Sequence, residues 1–497
     1  MIKNIRMNFK NILFLLLCLT TLNSCSKWID VKPSDRLSED VLFQDASGYL
    51  KALNGVYVEL ANNNLYGRFM TTANIDAMGQ YYYISSSTNV FYDYAVFNYT
   101  TANTKSGFDN AWKKAYELIA NLNVIIEKSG NAPTSKLPNP YYGIVRGEAL
   151  ALRAMLHFDM LRLFGPIWSE SNKKTTCIPY VTFSKSEISP LLSSEEVMIK
   201  VEEDLNLALE LLKENDSIFK EGIKTSASPT SPNDQLFRQY RFNYFAVQSL
   251  LARTNLWKGD KANALKNAVS VIQNAKIDGK AIFPFVTLSA AVSPDKPDRV
   301  FSTEVIFSLY TILRSNMYDM TFSANLEDFR RLSVNGLNSD FSRINAMYDN
   351  ANDHRRRVWE AVNVAGKEIV TNQKYKLHTD APGRYMIPLI RMSEMYLIAA
   401  ECSENIQEAA QFLNAVRNSR NINNLTPNNP QELKNLITSE YRREFLGEGQ
   451  IFFFYKRNSA QNIPNNASLV GDKNMSLVNY QVPLPDSEVS LRSKAVQ

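Results

Sequence analysis

The sequence predicts a mostly α-helical fold in which packed helix pairs carry a second, loop-rich lobe. Three observations predict it. Apolar residues recur at three- and four-residue spacing over long stretches. Residues that start and stop helices bracket those stretches. Between them lie long segments rich in Tyr, Asn, Ser and Pro that show no such spacing.

Phe108, Trp112, Ala115, Ile119, Leu122 and Ile126 form one stripe of an amphipathic helix. The stretch 142–164 is apolar on most sides and ends at Gly165-Pro166, so it reads as a core helix with a clear stop. Val197, Val201, Leu205, Ala208 and Leu212 mark the next helix, opened by Ser193 and Glu196 at capping-box spacing. Residues 245–257 are followed by Lys258-Gly259-Asp260 and by a helix carrying Ala264, Ala268 and Ile272. A second pair runs over 389–401 and 408–417, the latter with Ala409, Leu413 and Val416, and Asn429-Pro430 opens one more helix. Small residues let two helices approach closely, which makes the pairs tetratricopeptide-like, although long insertions separate them.

This pattern places a helical scaffold mainly at 38–62, 107–276 and 386–447. The irregular lobe falls mainly at 63–106, 277–385 and 458–497, within a single domain over 25–497. Residues 220–235 read as a surface loop, Val305-Ile306-Phe307 as a strand-like piece, and the tail after Arg457 as polar and irregular.

Residues 1–24 read as a lipoprotein signal peptide. Lys3, Arg6 and Lys10 form a positive start, and the apolar run from Ile12 to Leu19 is far shorter than the roughly 18 residues needed to span a bilayer. Leu22-Asn23-Ser24-Cys25 then supplies a cut site. A cysteine at that point marks Cys25 as the lipidated residue. The formal net charge is only +5, with three positive charges inside the leader, and so slight an excess argues against a nucleic-acid partner. Cys18 leaves with the leader. Of the remaining cysteines, Cys177 and Cys402, the second follows Ile398-Ala399-Ala400 on an apolar helix and reads as a buried thiol.

A search for chemistry predicts no catalytic residue, no metal and no cofactor. The three histidines, His157, His354 and His378, lack the spacing of a zinc helix, and His157 sits in an apolar helix as a core residue would. No Gly-x-Ser-x-Gly elbow or phosphate loop is present, and Gly447-Glu448-Gly449 reads as a turn. Carboxylates of a surface hydrolase could still be brought together by the fold. The aromatics offer more. Tyr81, Tyr82, Tyr83, Phe91, Tyr92 and Tyr94 cluster in a segment rich in Ser and Asn, and their rings suit stacking on sugars or peptide side chains. The other reading of that cluster is that its rings pin a long loop to the helices. Tyr310, Tyr318 and Trp359 are the next candidates for the same role.

Several motifs together resemble the SusD/RagB family of outer-membrane lipoproteins. Cys25-Ser26-Lys27-Trp28-Ile29-Asp30 with Pro33, then Leu53-Asn54-Gly55-Val56-Tyr57, resemble its mature start. Arg146-Gly147-Glu148-Ala149 with Leu152-Arg153-Ala154 and Leu163-Phe164-Gly165 is similar to its best-marked helix. Ile387-Pro388-Leu389-Ile390-Arg391 with Glu394-Met395-Tyr396-Leu397, and Arg442-Arg443-Glu444-Phe445 with Glu448-Gly449 and Tyr455-Lys456-Arg457, follow in family order. His157 and Gln450 depart from the pattern, standing where tyrosine and arginine are usual. The resemblance implies a surface-exposed, lipid-anchored outer-membrane protein that captures oligosaccharides, or alternatively peptides, and passes them to a TonB-dependent, SusC-like transporter. It implies no catalysis. A surface hydrolase or a purely protein-binding scaffold are the readings of another class. Glu148, Arg153, Arg443 and Glu444 read as structural, because charges inside apolar helices need partners.

Overall fold

Local rules account for most of the helices. Helix α1, Ala46–Leu60, is capped by the Asp45 carboxylate. Helix α2, Ala102–Ser129, buries the predicted stripe from Phe108 to Ile126. Helix α3, Tyr141–Phe164, stops at Gly165, and all of its residues except Tyr141 and Arg146 are buried. The predicted capping box of Ser193 and Glu196 opens α4, Ser194–Asn215. Helices α5, Tyr244–Trp257, and α6, Lys261–Asn274, are joined by the short predicted turn. Then come α7, Met392–Cys402, α8, Ile406–Ser419, α9, Pro430–Glu444 with proline in its first turn, and α10, Ile451–Arg457.

The structure, a computed structural model, describes residues 39–185, 187–226, 235–335 and 340–495. The signal segment 1–24 and Cys25 lie outside the described residues, as do residues 227–234 of the loop read over 220–235. The helices stack largely in chain order. Helix α3 lies between α2 and α4, α5 packs on α4 and α6, and α7 packs on α6, α8 and α9. Gly147 permits a close approach: a Cβ there would stand 2.9 Å from Leu212 Cγ on α4. The remaining segments carry two-stranded antiparallel ladders. Strand β1, Thr176–Pro179, pairs with β2, Leu191–Ser193; β3, Val305–Tyr310, pairs with β6, Met386–Arg391; and β4, Trp359–Val364, pairs with β5, Lys367–Asn372.

Two differences from the sequence reading have physical causes. Residues 389–391 extend a strand instead of starting a helix, because Ile387 and Ile390 pair with the buried Leu309 and Phe307 in an antiparallel ladder. The tail also ends in a helix, Asp486–Ala495. It lacks an apolar stripe and is held through polar contacts, Lys105 to Asp486 at 3.0 Å and Arg492 to the Ser189 carbonyl at 2.9 Å.

Buried charges organise the interior. Arg153 forks onto Asp204 with two bonds of 2.7 Å. Arg238 joins Glu148 to Asp216, and Tyr57 donates to Glu148 at 2.7 Å. His157 accepts from the Val181 amide through Nε2 at 3.0 Å and faces the Arg153 carbonyl through Nδ1, so Nδ1 carries the proton. Burial draws its pKa down to about 3, and its neutral ring stacks on Tyr180. Cys177 and Cys402 are free buried thiols.

The largest cluster sits where β3 and β6 meet α9. Arg391 reaches Glu304, Glu444 and Glu448; Arg420 reaches Glu304 and Glu444; Arg355 reaches Asp353, Glu440 and Glu444. Burial alone would raise the pKa of Glu444, but the guanidiniums of Arg420, Arg391 and Arg355 outweigh it and hold the carboxyl well below its usual range. Removing one member of such a cluster strands the others, so Glu444→Ala should cost about 3–5 kcal/mol in denaturant unfolding. The Glu444 contribution is complete above the unfolded value near 4.3 and lost as pH falls through the lower folded value. Acid unfolding monitored by far-ultraviolet circular dichroism should therefore show a shallower acid limb in Glu444→Gln than in the parent.

Candidate ligand-binding site

The six predicted site rings part into two groups. Tyr81, Tyr82, Phe91 and Tyr94 are between 0% and 2% exposed, so they cannot stack on a ligand. Their surroundings explain why. Tyr81 donates to the Arg442 carbonyl at 2.8 Å, Tyr82 packs against Phe322 and Trp359, and Tyr94 meets Phe69 and Phe108 while donating to the Asn103 carbonyl. These rings join the aromatic segment to α9, to β4 and to α2. Tyr83 and Tyr92 remain half-buried and reach the surface. Among the reserve candidates, Tyr318 and Trp359 are buried, whereas Tyr310 is 50% exposed and lies between Tyr240 and Tyr385.

Around Tyr83 and Tyr92 the chain builds a surface patch from two irregular segments. The Tyr83 amide donates to the Ser333 carbonyl at 2.8 Å and the Val90 amide to the Phe329 carbonyl at 2.9 Å. Asn89 fixes the turn between them, accepting from the Phe91 amide and donating to the Arg331 carbonyl. Arg331 in turn is tied to its own loop through the Ser323 carbonyl and Asp328. Phe329, Val90 and Met320 are left exposed, with Ser85, Ser87 and Thr88 beside them. Arg68 donates to the Met320 carbonyl at 3.2 Å, and burial together with the charge of nearby Arg330 lowers its pKa. An exposed ring, hydroxyls and two cations on a braced loop pair can stack on a ring and donate to hydroxyls or anions.

The patch borders a pocket of about 250 Å³ between the end of α1 and the turn at 311–317, with Asn63 at the junction. A separate groove of about 430 Å³ runs between α4, α5 and α6, lined by Asn206, Gln248, Asn255 and Asn267 among others.

The profile of the SusD family matches residues 365–497, and a SusD-like profile described as starch-binding associating with outer membrane matches residues 27–230. The chain belongs to the SusD/RagB family. Among relatives of this SusD/RagB chain, SusD-like protein P38 of Formosa agariphila is 24% identical over 490 residues, covering 89% of the chain and 90% of the relative. A SusD superfamily structure from Bacteroides thetaiotaomicron shares the fold at a TM-score of 0.68 and 22% identity, over 90% of this chain and 98% of that one. A SusD-like carbohydrate binding protein from Bacteroides vulgatus does so at 0.67 and 19%, over 91% and 97%.

Most of the described residues that carried the SusD/RagB resemblance lie in the interior, not on the patch. Arg391, Glu444 and Glu448 are in the buried charge cluster, and Gly447 and Gly449 donate their amides to buried Asp76 at 2.6 and 3.0 Å. Gly449 has φ +67°, and a Cβ there would lie 1.8 Å from the Met70 carbonyl oxygen. Lys456 of the third motif donates to the Arg162 and Gly165 carbonyls at the end of α3. Phe329, Arg330 and Met320 were missed in the sequence because isolated apolar residues in a polar loop carry no periodic signal. The two ring classes should separate under mutation. Tyr82→Ala should lose about 3–5 kcal/mol of stability, and Phe329→Ala should stay within about 0.5 kcal/mol, both read from denaturant midpoints.

Proposed function

We propose that this SusD/RagB protein is a non-enzymatic, lipid-anchored surface protein of the outer membrane. It captures oligosaccharides and delivers them to a partner TonB-dependent, SusC-like transporter. The observation that carries the reading is the patch around Phe329. Its exposed ring, the half-buried Tyr83 and Tyr92, the serine and threonine hydroxyls and Arg330 offer a sugar both an apolar face and donors. The match to a starch-binding family and the likeness to a carbohydrate binding protein of B. vulgatus support the ligand class. We also propose that residues 25–497 act as one unit, supported by a contiguous apolar core that draws on both the long helices and the irregular segments. No helix among the described residues is long and apolar enough to cross a membrane, which leaves the Cys25 lipid as the proposed anchor.

Isothermal titration with a panel of oligosaccharides and peptides tests ligand and site together. The combined Tyr83→Ala, Tyr92→Ala and Phe329→Ala variant should weaken oligosaccharide binding by one to two orders of magnitude, each ring contributing about 0.5–1.5 kcal/mol. Tight binding of peptides alone would replace the ligand class and keep the capture role. Unchanged binding by the variant would remove the patch from consideration.

The anchor is tested in cells. Cys25→Ala should leave the protein unprocessed or release it from the outer-membrane fraction, and a tag at the C-terminus of the parent should recover a large barrel protein after detergent extraction. Normal maturation and membrane retention of Cys25→Ala would sink the lipid assignment.

A further inference from the structure

An arginine is tolerated inside a protein when its guanidinium finds acceptors, because a desolvated cation without them is strongly unfavourable. Eleven arginines are buried among the described residues. Ten of them follow the rule. Most reach carboxylates, as Arg153 and Arg238 do, and Arg343, which has no carboxylate, donates to the carbonyls of Gln80, Tyr81, Asn465 and Ser468.

Arg314 is the exception. It is 4% exposed, yet among the described residues its guanidinium has no hydrogen-bond acceptor and no carboxylate within ion-pair distance, the charge of Asp298 acting on it only from farther off. Its Nε is sealed from solvent without an acceptor, and its carbon centre stands 5.6 Å from the Tyr375 ring centroid. Burial draws its pKa down to about 10, so it remains a cation at neutral pH.

The side chain lines the 250 Å³ pocket next to the patch. Asn62 and Asn316 line it too. Asn316 spends its amide on no partner among the described residues, and Asn62 accepts from the Asn64 backbone through its carbonyl oxygen, which leaves its NH₂ group to donate. Glu59, the one carboxylate at the rim, is held by Lys114 at 3.0 Å. The pocket thus gathers a planar cation and amide donors, with its only acid already neutralised. Its volume lies below the roughly 300–1,000 Å³ of whole small-molecule sites, which suits one residue of a longer chain whose remainder lies on the patch. Asn63 connects the two, lining the pocket while its amide contacts Met320 Sδ at 3.7 Å.

We propose that this pocket receives an anionic sugar residue of the captured oligosaccharide, its carboxylate or sulfate ester bound by Arg314 and the amides of Asn62 and Asn316. The proposal rests on the oligosaccharide reading of the adjoining patch. A guanidinium and two amides match a pair of anionic oxygens and give charge-assisted bonds, whereas the hydroxyls of a neutral sugar would accept weaker bonds and leave the buried cation without a counter-charge.

The test titrates the mature chain with three oligosaccharides of equal length: neutral, uronate-bearing and sulfated. At least one anionic series should bind tenfold or more tighter than the neutral one, and which series does so identifies the source of the anion. Arg314→Leu should reduce that preference to the neutral level while its thermal midpoint stays equal to the parent's or rises, since an unpaired buried charge is removed. Arg314→Lys, which keeps charge but loses the planar fork, should retain part of the preference. Asn316→Asp, which places a repelling charge at the rim without touching the buried arginine, should abolish it, and it serves as the test if the leucine variant does not fold. Equal affinity for all three ligands, or a preference that survives both Arg314→Leu and Asn316→Asp, would overturn the pocket assignment and leave oligosaccharide capture standing. Failure of all three ligands to bind would instead overturn the capture reading beneath it.

Discussion

The constraint on which this structure most depends is the pairing of buried charge. Glu444 receives three guanidiniums, from Arg355, Arg391 and Arg420, and Glu304 receives two of the same three. Those residues come from a 3₁₀ turn, the end of a strand, the end of α8 and the end of α9. None of these ends would be held so closely by apolar packing alone, because a greasy contact tolerates sliding and a forked ion pair does not. The cluster therefore sets where the irregular segments meet the helices. The loops that make up the patch are braced from positions fixed in this way, as Arg343 illustrates by tying the backbone at Gln80 and Tyr81 to the backbone at Asn465 and Ser468.

The helical half of the fold was readable because its rules are local. A stripe such as Phe108 to Ile126, a capping box such as Ser193 with Glu196, or a stop such as Gly165-Pro166 can be recognised without knowing what lies nearby in space. The charged residues in apolar helices were readable for a related reason. Burial of Glu148, Arg153 or Glu444 is inferred from neighbours in sequence, and the need for a partner follows from physics even while the partner is unknown.

The site was less legible. Tyrosines in a polar segment look alike whether their rings face solvent or the interior, and what separates Tyr82 from Tyr83 is the position of Trp359 and Phe322, far away in the chain. The strand at 386–391 escaped for the same reason. Its apolar run suits helix or ladder equally, and the outcome was decided by its pairing with Val305–Tyr310. Even the motifs around Arg391, Glu444 and Lys456 that carried the family resemblance report on the interior, so they identify the scaffold and are silent about the ligand.

The buried charge cluster also bears on how the chain reaches its native state. Arg391 and Arg420 meet Glu304 across 87 and 116 residues, and both also need Glu444, Arg391 needing Glu448 besides, before they are fully matched. Contacts of such long sequence separation form late and slowly, after the entropy of closing large loops has been spent. Helices α2 to α6 can assemble first from neighbouring segments, while the charged seam closes last and acts as a latch. Interactions that are absent from the rate-limiting state slow unfolding more than they speed folding. The seam thus gives the protein persistence through slow opening, beyond what its equilibrium stability alone would provide.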